Sequence, residues 1–197
     1  MSINAQGYFN ALRSYLNTKH YEVTDTDLGR IVLKEKIYPA NSPDPVEQRV
    51  RLTVTGEALV INLDKKVSLS KKEREEKINQ SPPLFHFLDD TAKPWSKRCD
   101  HVIFHRVGQR LMVHCIEFKS ASLPDSLVDQ LDASEAWCRT MHSAIKHYTG
   151  KARKLHLTKF VVSCHANPAA YLDADGKYLS LIHNSEPTRL RRISYAV

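Results

Sequence analysis

Three residues carry the chemistry legible in this chain: Asp100, Glu117 and Lys119. Asp100 stands at the start of the apolar, β-branched run CDHVIF, and Glu117 and Lys119 end a second run, LMVHCIEFK. The two runs are joined by RVGQR, whose Gly108 suits a turn, so they are expected to pair as a hairpin. Alternate strand residues point the same way, which puts Glu117 and Lys119 on one face. Two carboxylates and an amine then converge. A hard divalent cation such as Mg2+ takes oxygen ligands and keeps several waters, and one or two carboxylates plus a substrate phosphate suffice to hold it. A lysine beside such a cation can orient or help deprotonate a water, or stabilise charge building on the phosphate. Such a set is suited to hydrolysing a phosphodiester.

The elements that must position these groups follow from periodicity. Ser126 to Tyr148 reads as a long helix, with Leu127, Leu131, Cys138, Met141, Ile145 and Tyr148 in a three-to-four-residue rhythm, Asp125 at its start and Gly150 at its close. LHLTKFVVSC, residues 155–164, then reads as a strand. Strand, strand, helix, strand is an α/β pattern with one crossover. Upstream, Tyr8, Phe9, Leu12, Tyr15 and Leu16 mark one face of a helix over residues 5–17, where the aromatics are expected in the core. Leu28 to Tyr38 reads as a strand, and the prolines of 41–45 as a loop. RVRLTVT and ALVINL flank Gly56-Glu57 and are expected to form a hairpin through a type II′ turn, with positive φ at Gly56. Ser70 and Glu73 have the capping-box spacing for a helix to about Asn79.

Length and composition are those of one globular domain: 197 residues, 42% hydrophobic, with 6 Gly and 9 Pro, which excludes collagen-like and low-complexity chains. A chain of this size buries about 70% of its unfolded surface, so it needs no metal or disulfide merely to fold. Cys99, Cys115, Cys138 and Cys164 form no C-x-x-C pair and read as reduced, mostly buried thiols. The start MSINAQGYFNALRSYL lacks the features of a signal peptide, and no stretch nears 18 apolar residues, so a cytoplasmic protein with no membrane partner is expected. The net charge of +7 favours polyanionic partners. The excess is concentrated in residues 149–197, where eight basic side chains face three acidic ones.

On Asp100 and Glu117-Phe118-Lys119 the chain resembles the PD-(D/E)xK nuclease superfamily, whose signature is an Asp opening one strand and Glu/Asp-x-Lys ending the next. The resemblance covers residues 70–165 and implies a restriction-endonuclease-like α/β fold. That fold has an αβββαβ core with a mixed central sheet flanked by helices. The chain is expected to be a single domain, with an N-terminal helix/strand extension over 1–48, the nuclease-like core over 49–165 and a basic tail over 166–197, the first and last of which the resemblance does not describe. The resemblance further implies a metal-dependent nuclease, cutting as an endonuclease or exonuclease, with Mg2+ or Mn2+ held by Asp100, Glu117 and the main-chain carbonyl of Phe118, and Lys119 assisting the attacking water. Gln130 on the following helix and Glu73 or Glu76 on the preceding one are the possible accessory residues. Two departures stand out: Cys99 replaces the signature Pro, and Ser134 occupies a position that is Tyr in some branches. Small members of the superfamily serve restriction, repair, recombination and phage defence. The expected partner is therefore nucleic acid, DNA favoured over RNA, with a homodimer or a larger defence or repair complex as the assembly.

Trp95, Lys97 and Arg98, close to Asp100, and Lys151, Arg153 and Lys154 after the long helix are the candidate nucleic-acid contacts. Trp137 lies on the apolar helix stripe and is expected in the core. None of the ten histidines forms an H-E-x-x-H pattern, so none is assigned as a ligand, and Asp173-x-Asp175-Gly176 reads as a plain turn. Glu-x-Lys also occurs as a solvated pair on ordinary edge strands. The alternative reading is thus a non-catalytic nucleic-acid-binding or protein-interaction module with a nuclease-like fold.

Overall fold

A computed structural model describes residues 5–18, 22–26, 30–37, 44–63, 94–119, 124, 126–149 and 154–163. The capping box at 70–73, the candidates Glu73, Glu76, Lys151 and Arg153, Cys164 and the C-terminal tail lie outside the described residues.

Helix α1 (Ala5–Tyr15) is followed by β1 (Glu22–Thr26), β2 (Arg30–Ile37), β3 (Val46–Thr53) and β4 (Glu57–Asn62). A short 3-10 turn (Pro94–Ser96) precedes β5 (His101–Val107) and β6 (Arg110–Lys119), then α2 (Ser126–Thr149) and β7 (Leu155–Ser163). Among the described residues, five strands form one sheet in the order β1-β4-β5-β6-β7, and β2 and β3 form a separate ribbon. Neighbours in the main sheet are antiparallel except β6 and β7, which run parallel. A parallel pair needs a crossover connection, and α2 lies within it. The described residues are therefore mixed α/β, with a mixed five-stranded sheet and two α-helices.

The sheet is the middle of three layers. Tyr8, Phe9 and Leu12 of α1 and Leu127, Leu131, Trp137 and Cys138 of α2 pack with Leu59, Ile61, Val102, Phe104, Val113 and Cys115 on one face. Ile31, Leu33 and Val50 of the ribbon pack with Ala58, Val60, Ile103, Ile116, Phe118 and Val162 on the other. Coverage on both faces accounts for the unbroken burial of β5 from His101 to His105, where one-sided strands would alternate. An isolated helix of 11 residues is marginal in water, so α1 is held by these contacts. Ties to its neighbours add to them: the Tyr8 hydroxyl meets His142 Nδ1 of α2 at 2.5 Å, and Arg13 pairs with Glu57 of β4 at 3.6 Å.

Several expectations change. RVRLTVT and ALVINL do not pair with each other: β3 pairs with β2, and β4 lies between β1 and β5. Gly56 does have positive φ, +94°, but it marks the corner where the chain passes from one layer to the next. A Cβ at Gly56 would lie 2.3 Å from the carbonyl oxygen of Arg106, so glycine is required there on two counts. Tyr15 and Tyr148, placed on apolar stripes by their spacing, are 62% and 86% exposed, each in the last turn of its helix. β1 is a strand that its sequence, EVTDT, hardly announces, since Val23 is its one apolar residue. The long helix, the final strand and the Gly108 turn, with φ +56°, stand where they were expected. Cys99, Cys115 and Cys138 are buried free thiols, and Trp137 is buried.

Candidate active site

Asp100, Glu117 and Lys119 meet where β5 begins and β6 ends. The register pairs His101 with Ile116, so the antiparallel run brings Asp100 beside Glu117 at the end of the ladder. The two residues are then tied reciprocally: the Asp100 main-chain N–H donates to Glu117 Oε2 at 3.1 Å, and the Phe118 N–H donates to Asp100 Oδ2 at 2.6 Å. Lys119 Nζ donates to Glu117 Oε1 and forms an ion pair with it. The Glu117 side chain is only 3% exposed, so this carboxylate is held out of water with a cation and an amide as its partners.

Neighbouring residues fix the frame. Cys99 N–H donates to the Ser134 hydroxyl at 2.7 Å, and that hydroxyl donates back to the Gln130 carbonyl at 2.9 Å, so α2 anchors the approach to Asp100. Leu63 N–H donates to the Asp100 carbonyl at 3.0 Å. On the ribbon side the rings of His101 and Phe118, the residues following each carboxylate, meet edge to face at 5.7 Å. The aromatic contact locks both strands beneath the site.

Burial pushes the Asp100 carboxyl up to about 8, and the negative charge of Glu117 pushes in the same direction. The Phe118 amide and the Lys119 ammonium oppose this shift, whereas the carboxylate of Glu35 adds to it. Glu35 lies on β2, two residues beyond Leu33 in the phase that faces the sheet. Sequence reasoning missed this third acidic residue. Its signal was a carboxylate continuing the inward alternation Ile31, Leu33, Glu35.

The donor set suits a hard divalent cation. Among the described residues no group of three or more His, Cys, Asp or Glu side chains is arranged to hold a metal ion. Asp100, Glu117 and the Phe118 carbonyl are the oxygen groups at this point that could contribute to holding such a cation, which keeps most of its waters. A strand residue turns its N–H and C=O to the same side. The Phe118 carbonyl accordingly faces the side on which its N–H meets Asp100. Two neighbouring carboxylates, one of them favouring its neutral form, present the electrostatic conflict that a cation relieves.

The remaining candidates are placed as follows. Gln130 is on α2 one turn before Ser134, and its Oε1 is buried without a hydrogen-bond partner among the described residues. Trp95 is exposed on the 3-10 turn. Lys97 pairs with Asp129 at 2.6 Å, and the Arg98 guanidinium donates to the carbonyls of Leu63 and Ser96, each at 3.4 Å. Lys154 is exposed just before β7. Among the described residues no helix is long and apolar enough to cross a membrane. No protein-family model, curated protein or solved structure matches the chain.

Proposed function

We propose that this chain is a metal-dependent nuclease of the PD-(D/E)xK type, hydrolysing phosphodiester bonds of nucleic acid, DNA in preference to RNA, in DNA processing or phage defence. The observation that carries the reading is the convergence of Asp100, Glu117 and Lys119 at the adjoining ends of β5 and β6. The antiparallel β4-β5-β6, the crossover through α2 and the parallel β7 agree with the βββαβ part of a restriction-endonuclease-like core. Asp100, Glu117 and the Phe118 carbonyl would hold Mg2+ or Mn2+, which when bound supplies a Lewis acid for the phosphate and a nucleophile at neutral pH.

The protein's own groups do the rest. The Phe118 amide and the His101–Phe118 ring contact fix the Asp100 carboxylate, so its oxygens need little rearrangement on binding. The Lys119 ammonium, resting on Glu117, can orient the attacking water and stabilise charge building on the phosphate. The hydrophobic layers on both sides keep bulk water from the inner oxygens of Glu117.

The test is cleavage of circular and linear duplex DNA, single-stranded DNA and RNA with Mg2+, Mn2+ or EDTA, comparing wild type with Asp100→Ala and Lys119→Ala. Cutting that needs metal and disappears in both variants is expected. Cutting that survives both substitutions, or no cutting under any condition, refutes the assignment.

A further inference from the structure

The β2–β3 ribbon has a densely basic outer face. Its register sets Arg30 opposite Thr53, Val32 opposite Arg51, Lys34 opposite Arg49 and Lys36 opposite Glu47, and all eight residues are exposed. The intervening Ile31, Leu33 and Val50 are buried against the main sheet. Five of the eight outward positions are thus cations and one is an anion. Like charges directly across a strand pair are destabilising, and Lys34 faces Arg49 in this way. The single anion, Glu47, accepts from Arg49 Nε at 2.5 Å. Its carboxyl is lowered first by that bond and further by the charges of Arg49, Lys34 and Lys36, so one carboxylate answers three cations. Among the described residues Lys34 and Arg51 have no ion pair. Folding alone would favour opposite charges at these positions, so the arrangement calls for an external anion.

We infer that the outer face of the β2–β3 ribbon is a docking surface for duplex DNA, with Arg30, Lys34, Lys36, Arg49 and Arg51 meeting phosphates. Two features select a duplex. The outer positions from Arg30 to Lys36 span about 20 Å in two rows about 5 Å apart, the proportions of a two-stranded ribbon that the major groove admits. The face also holds no aromatic residue, whereas sequence-tolerant binding of single strands relies on aromatic stacking. The ribbon is next to the candidate site: Leu33 and Lys34 line a cavity of about 190 Å³ together with His101, the residue after Asp100. Duplex docking gives a role to a segment that the family resemblance left undescribed, and only its choice of partner rests on the nuclease reading.

The experiment measures duplex binding by fluorescence anisotropy in EDTA across a salt series, for wild type, for Lys34→Thr/Lys36→Thr/Arg51→Thr, and for Arg110→Gln/Lys146→Gln as a control off the ribbon. Each phosphate contact contributes about 0.9 to the slope of log K against log salt, so loss of three contacts lowers the slope by about 2.7. A fourfold rise in salt then weakens the ribbon variant about 40-fold less than wild type. The ribbon variant should melt at or above the wild-type temperature, since repulsion across Lys34 and Arg49 is relieved. An unchanged slope, an equal loss in the control, or a wild type that binds only single strands overturns the inference. Binding through the ribbon without cleavage refutes the nuclease reading alone, and cleavage with an unchanged slope refutes the ribbon alone.

Discussion

Replacing Asp100 by Asn removes a buried titratable carboxyl and keeps the shape that the site is built around. The Asp100 carboxyl is held at about 8 in the folded chain against an ordinary value of 3.8, with burial as the leading cause and Glu117 the next. A group whose folded pKa is raised holds its proton more tightly in the folded state. Its contribution to stability is complete below the unfolded value and is lost as pH rises through the folded one. The window therefore runs from about pH 4 to about pH 8, and at ~1.4 kcal/mol per pH unit the loss is on the order of 4 kcal/mol by neutral pH. The Asn substitution keeps a side-chain oxygen to accept from the Phe118 N–H, the bond now 2.6 Å long, and presents an amide N–H2 where the protonated acid has its O–H.

The expected outcome is a crossing of function and stability. In EDTA, urea unfolding should find Asp100→Asn close to wild type near pH 4 and increasingly more stable as the pH approaches 8, while metal-dependent cleavage disappears. Divalent metal should raise the stability of wild type and leave the variant unchanged, because a ligand that binds only the folded state stabilises it by mass action. The same stability difference at every pH would refute the claim that desolvation of Asp100 dominates the site. A variant less stable than wild type throughout would show that the carboxylate is stabilising where it lies.

Two further substitutions probe the frame. Gly56→Ala should destabilise by about 3 kcal/mol or more in chemical denaturation, since the added Cβ meets the Arg106 carbonyl at 2.3 Å at φ +94°. Gly108→Ala, at φ +56° with open space around it, should cost only about 1–2 kcal/mol, and equal effects would contradict the corner role of Gly56. Ser134→Ala leaves the buried Cys99 N–H without its 2.7 Å acceptor and should cost about 1–3 kcal/mol while lowering cleavage through misplacement of Asp100; an unchanged melting temperature with unchanged cleavage would remove Ser134 from the positioning of the site.

What could be read before the structure was whatever a short stretch of chain decides for itself. Asp100, Glu117 and Lys119 were legible because a glycine turn and strand alternation together determine which side chains of one hairpin meet. Gly56 shows the limit. Its positive φ was correctly expected, but a turn residue does not say whether the strands beside it pair, and burial of β4 on both faces drew that strand between β1 and β5 instead. Glu35 was invisible as part of the site for the same reason, because its neighbour Asp100 is 65 residues away and comes close only once the ribbon layer is laid on the sheet.

The same layering explains why the costly groups can persist at all. A carboxylate as buried as Glu117 is tolerable only with strong partners, and among them the Asp100 N–H and Lys119 both depend on the β5–β6 register. A one-residue slip of β5 against β6 would turn Val102 and Phe104 away from the helices as well as parting the carboxylates. The apolar layers therefore hold the polar site in place through the register, since the slip that would relieve the repulsion between Asp100 and Glu117 would also expose the core. The ribbon completes the arrangement from the other side: its inner residues seal the sheet beneath His101 and Phe118, and its cations are turned outward, away from that apolar layer.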